Sequence, residues 1–470
     1  MPPLDLLADT LGPQGLLREA GDVAPYAVDW RGVYRGRPEA VLRPASTAEV
    51  ASALRLCADL GLTVVPAGGR TSLCGAAVPT EQGPPSVVLS LERMNRIRAL
   101  DPLDLSLVAE AGCTVESVQM VAEAAGRFFP LHFGAQGSAM IGGALSTNAG
   151  GIRTLRYGNA RDLVLGLEVV LPDGRVLDDL RRVRKDNSGY ALRHLFMGAE
   201  GTLGVITAAS LKLFPPLLKR ETALVAVRSP HEALRLLARC QASGAELVAF
   251  ELIGRPCIEI TLKHALNVRK PMELSTPWFC LVEAGSTHPS IPVREALEAA
   301  LMVALEAGEA EDVILCESED QRRNLWDIRE GFPACSRQEA PGLPTDTAVP
   351  VSAIPDFLDR CAALIAERYP EGKMVAIGHM GDGNIHLSLQ APPGTTHADW
   401  ARRGTGFEER VGEIAVELGG SFSAEHGIGQ SKRAAMAGLK DPVALSVMRA
   451  IKDTLDPAGR MNPGKVLPPG

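Results

Sequence analysis

The sequence predicts two or three domains, an α/β or α+β domain followed by a second α+β one, and three features predict it. Through the first half, short apolar strand signals alternate with amphipathic helical stretches, at residues 46–65, 86–91, 106–125 and 163–213. Two glycine-rich stretches interrupt that alternation, where no regular element is expected. After Pro215-Pro216 the helices lengthen, at 231–241, 293–307 and 322–331, between strand-like segments at 221–227, 279–283 and 312–316. The expected divisions are an N-terminal segment 1–39, a first domain 40–216, a second domain 217–428 and a helical tail 429–470. A chain of 470 residues can bury such cores without disulfide or metal staples.

Each element has a local cause. Ser46-Thr47-Ala48-Glu49 is a capping-box pattern that opens a helix with Val50, Leu54 and Cys57 on its apolar face. That helix stops at Gly61, and a strand at 62–65 delivers the first glycine stretch, VPAGGRTSLCGAAVP, at 65–79. Strands follow at 86–91 and 106–109, with a helix at 114–125. The second stretch, residues 137–158, reads GSAMIGGALSTNAGGIRTLRYG. Glycine costs conformational entropy in a regular element and is useful where backbone must bend or approach closely. Two readings stay open: a bare glycine-rich loop, or a cradle whose backbone N–H groups face a pyrophosphate, with the hydroxyls of Ser138, Ser146 and Thr147 as further donors. Neither stretch is the GxGxxG dinucleotide fingerprint. A strand at 163–171 turns at Pro172-Asp173-Gly174, and 204–213 closes the domain.

Composition excludes several classes. The net charge of −8, from 48 basic and 56 acidic residues, argues against a nucleic-acid partner. No apolar run approaches the ~20 residues of a membrane span. The opening MPPLDLLADTLG lacks a basic region and reads as neither a secretory signal nor a transit peptide. Nine scattered cysteines with no CxxC read as reduced core thiols of a cytoplasmic protein.

Two clusters in the second half carry polar chemistry. Residues 374–379 and 384–389 read as partner strands around a four-residue turn at 380–383, so His379 and His386 become diagonal neighbours on one polar face. They form either a polar patch or a pair of metal ligands. In SAEHGIG, residues 423–429, Glu425 and His426 precede glycines; they are either a helix-capping pair or a carboxylate and imidazole that complete a site. His, His and Glu together suit Zn2+ or Mn2+. GRMNPGK at 459–465 mimics a phosphate loop, but Pro463 lies within it, Val466 follows it and no helix follows that could meet a phosphate. GIGQSK at 427–432 lacks the spacing. Arg329, on a helix rich in charge, is by itself a solvated or ion-paired arginine.

The runs PAGGRTSLCGAAVP, IGGALSTNAGGIRTLRYGNARDLVLGLEVVLPDGRV, KDNSGY and GAEGTLGVIT resemble the FAD-binding domain of flavoenzymes related to vanillyl-alcohol oxidase. Within these the chain is most similar, from about residue 40 onward, to the FAD-linked D-2-hydroxy acid dehydrogenases, whose members act on D-2-hydroxyglutarate, D-lactate or glycolate. The resemblance implies a PCMH-type FAD-binding domain of two subdomains, a substrate domain built on an antiparallel sheet, and a C-terminal helical segment that returns to the flavin. It implies that FAD is held by Pro66, Gly68, Gly69, Arg70, Thr71, Ser72 and Leu73 of the first stretch. From the second come Gly137, Ser138, Ile141, Gly142, Gly143, Ser146, Thr147, Asn148, Gly150, Gly151, Tyr157 and Gly158. Glu200, Gly201, Gly204, Val205 and Ile206 join them, with Asn462 near the ring.

By the same resemblance His379, His386 and Glu425 ligate the metal, His426 is the base and Arg329 grips the substrate carboxylate. The implied reaction is oxidation of a D-2-hydroxy acid, with D-2-hydroxyglutarate, D-malate and D-lactate as candidates. Electrons pass on to a quinone or an electron-transfer flavoprotein, and a homodimer is compatible with the reading. An O2-using oxidase and a non-catalytic flavin subunit are the alternatives. Two positions depart from relatives that act on D-2-hydroxyglutarate: Pro344 stands where they carry lysine and Ser388 where they carry asparagine. Arg70 stands where flavinylated relatives carry histidine, so FAD is expected to be non-covalent; His132 is either another attachment point or an ordinary histidine.

Overall fold

The computed structural model describes residues 3–469. The chain divides into two compact units: Met1–Gly151 with Tyr157–Pro215 and Glu425–Gly470, and Ile152–Arg156 with Pro216–Ala424. Apart from residues 152–156 it changes unit at Pro216 and back at Glu425, so residues 425–470 share a unit with the first glycine stretch and most of the second.

In the first unit, β1 (Leu16–Leu17), β2 (Ala40–Leu42), β3 (Thr63–Ala67) and β4 (Ser86–Ser90) form a sheet in the order β1-β2-β4-β3, parallel except for the β1/β2 pair. The connection from β2 to β3 is the helix Thr47–Asp59, as a parallel pair of strands requires a crossover. Ser46 Oγ accepts from the Glu49 N–H, while the Glu49 carboxylate accepts from Ala45 N–H, one residue before the position a capping box would use. Val50, Leu54 and Cys57 bury with Leu42, Val64, Val87 and Leu89 in one core.

The same unit's second sheet is fully antiparallel. β5 (Ile97–Asp101), β6 (Ser106–Glu110), β7 (Val164–Val170), β8 (Val176–Asp179) and β9 (Val205–Lys212) lie in the order β5-β6-β9-β7-β8. Thr114 caps the helix Val115–Ala124, whose Val115, Val118 and Ala122 pack with Leu107, Leu167 and Ile206.

The second unit is built on one antiparallel sheet of β10 (Lys219–Val227), β11 (Glu246–Gly254), β12 (Trp278–Ser286), β13 (Asp312–Leu315), β14 (Gly342–Pro344), β15 (Thr347–Ala348), β16 (Lys373–His379) and β17 (Asn384–Gln390). The order is β13-β10-β12-β11-β16-β17-β14, with β15 also on β17. Both faces are covered. Ala223, Val225 and Val227 of β10 enter one core with the helices Pro230–Gln241, Val293–Glu306 and Ile354–Arg368; Leu224 and Ala226 enter another with Arg255–His264 and Glu319–Glu339. A strand dry on both faces is apolar at successive positions, which is why β12 reads Phe-Cys-Leu-Val without alternation.

Three segments differ from the sequence reading. The glycine stretch at 137–158 contains a short helix, Ile141–Ser146, with Gly142 and Gly143 inside it. The helix expected at 322–331 runs Glu319–Glu339 through Pro333, because burial of Leu325, Ile328, Phe332 and Cys335 along one face outweighs the single bond a proline removes. The tail is two helices, Arg433–Leu439 and Pro442–Leu455, parted where Pro442 starts the second and Asp441 caps it. Among the described residues no helix is long and apolar enough to cross a membrane.

Candidate active site

The first unit gathers most of the expected cofactor residues around the end of β3. A methyl on Gly69 would lie 1.9 Å from the Ser138 carbonyl oxygen, and one on Gly68 would lie 3.4 Å from Gly143 Cα, so the two glycine stretches touch backbone to backbone. Arg70, Asn148, Glu200 and Asn462 all hold left-handed backbone, with φ of 56°, 54°, 51° and 44°. Leu105 and Val466 of the same unit share that conformation, with φ of 52° and 61°.

Hydrogen bonds tie these residues together. Asn462 Nδ2 donates to the carbonyls of Glu200 and Ala76, and its N–H donates to Val64 of β3. The Glu200 N–H donates to Ser146, and its buried carboxylate accepts from Ile428 and Gly429 N–H at 2.7 and 2.9 Å. Burial raises the Glu200 carboxyl above its ordinary range against those two donors and nearby Lys465 and Lys432. Asn462 Oδ1 and Lys465 Nζ are buried with no partner among the described residues, which fits a cofactor that would supply the acceptor and donor they lack. Burial pushes the Lys465 ammonium down to about 7.

Several of the expected cofactor residues also have partners within the protein. Ser146 Oγ and Thr147 Oγ1 donate to the Gly142 and Gly143 carbonyls inside the short helix. Gly142 lies against Ala111, Gly151 against the His132 carbonyl, Gly158 against Asp162 and Gly201 against Pro66; at these four the missing Cβ makes room for protein. Gly204 directly precedes β9, whose Val205 and Ile206 are core, and Tyr157 stacks edge-on against Phe128 and Phe214. Arg70 lies over the Tyr26 ring and donates to the Pro25 carbonyl, and Ser72 Oγ accepts from Cys74 N–H. Thr71, Leu73, Gly137 and Gly150 belong to the same loops.

The second unit carries the polar cluster. β16 and β17 pair with His379 opposite Asn384 and Ile377 opposite His386, which makes the two histidines diagonal neighbours as the turn length required. Their rings meet edge to face at 5.4 Å between centroids. A ligand atom of His386 lies within 4.8 Å of one of His379, and, in a separate grouping, one of His386 lies within 4.8 Å of an Asp346 oxygen. Imidazole and carboxylate donors so spaced fit a divalent cation. The Ala424 N–H donates to the Asp346 carbonyl, and Glu425 and His426 are the next residues of the chain.

Behind His379 lies a residue the sequence reading missed. Glu251 of β11, fully buried, accepts from Arg329 Nε at 2.6 Å with one oxygen and meets His379 Nδ1 at 2.7 Å with the other. Burial alone would raise the Glu251 carboxyl; the charges and hydrogen bonds of His379 and Arg329 overcome it and hold the group at about 2. Arg329, on the helix Glu319–Glu339, is ion-paired and buried, so the solvated alternative does not hold. The available signal was the lone acid inside the apolar run 247–253. Asp346 was also missed; it is buried and accepts from Asn384 Nδ2 at 3.2 Å. Burial pushes nearby Asp382 up to about 6.

Comparison with known proteins gives this geometry a family. Residues 38–179 match the family described as FAD binding domain, and residues 218–466 match FAD linked oxidases, C-terminal domain. A probable mitochondrial D-2-hydroxyglutarate dehydrogenase of Oryza sativa subsp. japonica is 36% identical over 460 residues, covering 97% of this chain and 80% of that one. The D-2-hydroxyglutarate dehydrogenase of Xanthomonas citri is 35% identical over 456 residues, covering 96% and 94%. The solved structure of an alkyldihydroxyacetonephosphate synthase superposes with a TM-score of 0.75 at 16% identity over 98% of this chain and 84% of that one, a likeness of fold. The chain belongs to the family of FAD-linked D-2-hydroxy acid dehydrogenases.

Proposed function

We propose that this protein oxidises a D-2-hydroxy acid to the 2-oxo acid, with non-covalent FAD as acceptor and with a divalent cation, Zn2+ or Mn2+, held by His379, His386 and Glu425. The observation that carries the reading is that Arg329 and His379 share the Glu251 carboxylate, which joins a group able to grip a carboxylate to one able to ligate a cation. Bound FAD supplies the hydride acceptor, and a bound cation supplies a Lewis acid for the substrate hydroxyl. Arg329 has N–H groups beyond the Nε that Glu251 occupies, and these bind the substrate carboxylate and orient C2. His426 accepts the hydroxyl proton at a ring nitrogen, a task suited to an imidazole near neutral pH.

A second observation bears on the substrate's far end. Pro344 and Ser388, the two departures from relatives that act on D-2-hydroxyglutarate, are directly opposed across β14 and β17, and Ser388 is two residues from His386 on the same face. This favours D-lactate or D-malate over a substrate with a distant second carboxylate. The relatives named D-2-hydroxyglutarate dehydrogenase favour that acid instead.

Anaerobic mixing of the yellow protein with D-lactate, D-malate and D-2-hydroxyglutarate tests both points. The expected result is bleaching of the flavin by D-acids only, followed by reoxidation by a quinone analogue faster than by air. Faster reoxidation by air would make it an oxidase, and a flavin that no acid bleaches would defeat the proposal.

A further inference from the structure

Glu251 is an acid on a strand that otherwise serves the core. Phe250 and Leu252 beside it enter one hydrophobic cluster and Ile253 enters the other, while Glu251 is fully buried on the face that meets the helix Glu319–Glu339. Burying a carboxylate is costly unless it is paired and hydrogen-bonded, and here both oxygens are used. An arginine Nε–H can only donate, so Oε2 must accept it. An ion pair with Arg329 would satisfy the charge. The second contact, to His379 Nδ1, serves a different end.

A carboxylate oxygen at 2.7 Å from Nδ1 accepts a proton from that nitrogen. With Nδ1 protonated in the neutral ring, the lone pair lies on Nε2, the atom that a cation would take. The same anion fixes the direction of the Arg329 guanidinium. We propose that Glu251 is a positioning residue that sets the tautomer of His379 and the orientation of Arg329 together, so that one buried anion aligns the cation ligand with the substrate-carboxylate grip. The proposal rests on the cation reading given above, and the test separates the two.

The Glu251→Gln variant keeps the shape and reverses one hydrogen bond. Its amide oxygen must accept from Arg329, which turns the NH2 group toward His379 Nδ1, makes that nitrogen an acceptor and moves the ring proton to Nε2. FAD-loaded wild type and E251Q are titrated with Zn2+ and Mn2+ against a competing chelator. The same proteins, metal-free and carrying 15N-histidine, are examined by NMR at about pH 9, above the ordinary histidine pKa of about 6.5. The expected result is cation binding weakened about 10–100-fold in E251Q, with His379 changed from the Nδ1–H to the Nε2–H tautomer. Glu251→Asp, which restores a carboxylate, should recover the wild-type tautomer.

Equal cation affinity and an unchanged tautomer in E251Q would overturn the role of Glu251 and leave the cation reading standing. A wild type that binds neither cation defeats the cation reading instead, and the tautomer then decides the role of Glu251 alone. Should E251Q fail to fold, wild-type protein with His379 as Nε2–H overturns the proposal by itself.

Discussion

Gly69 lies so near Ser138 that a methyl group on it would sit 1.9 Å from that residue's carbonyl oxygen, while a methyl on Gly143 would meet only Gly68 Cα at 3.9 Å. The two glycines therefore predict opposite outcomes. Gly69→Ala forces backbone apart and should destabilise the unit by about 1–3 kcal/mol, with loss of FAD. Gly143→Ala, inside the helix Ile141–Ser146, should leave the apoprotein as stable or up to ~1 kcal/mol more so. If the space beside it belongs to the cofactor, FAD affinity should still fall. Thermal melts of apoprotein and fluorescence titration with FAD measure both.

Lys465 gives a pH dependence. Its folded pKa, pushed by burial from 10.5 to about 7, means that the folded apoprotein binds fewer protons than the unfolded chain between those values. Stability should therefore rise with pH through that window, the burial penalty being fully present below 7. Lys465→Met removes the penalty. At pH 6 it should stabilise the FAD-free protein by up to about 5 kcal/mol, the gain vanishing near pH 10.5. FAD should bind K465M more weakly if the ammonium meets one of its anionic groups.

Arg329→Met leaves the Glu251 anion with one partner in a dry site, which typically costs about 3–5 kcal/mol. Chemical denaturation should show that loss, and the double variant with Glu251→Gln should recover part of it. The wild-type contribution has a definite sign. A carboxyl held at about 2 against an ordinary 4.5 stabilises the fold above 4.5, and that stability is lost as pH falls toward 2. In R329M the loss should begin at higher pH.

His426→Ala should keep the yellow colour and lose about 10²–10⁴ in turnover if the imidazole is the base. Chelation should likewise abolish turnover without releasing FAD, and added Zn2+ or Mn2+ should restore it. Unimpaired activity in metal-free protein would contradict the cation reading.

The pair Pro344 and Ser388 allows a direct exchange. Pro344→Lys with Ser388→Asn should raise kcat/KM for D-2-hydroxyglutarate over D-lactate by about 10-fold or more, since a new charge-assisted hydrogen bond contributes about 1.5–3 kcal/mol. No change in the ratio of the two substrates would remove these positions from substrate selection.

Much of this protein is legible in the amino-acid sequence by itself, because the signals are local. The Ser46 cap, the turn at 380–383 and the period of two through Ile385, Leu387 and Leu389 follow from bonds between near neighbours, and they suffice to place His379 diagonal to His386. What only the tertiary structure decides is which neighbours come from far along the chain. The sequence leaves Gly142, Gly151 and Gly158 open between a bare loop and a phosphate cradle, and it is the fold that sets Ala111, His132 and Asp162 against them. Glu251 stands 128 residues from His379 and 78 from Arg329, and nothing in an apolar run announces that its one acid will meet both. Periodicity fixes the face a side chain occupies; strand order and helix packing choose its partner, and the cost of burying an unpaired charge is what makes that choice unique.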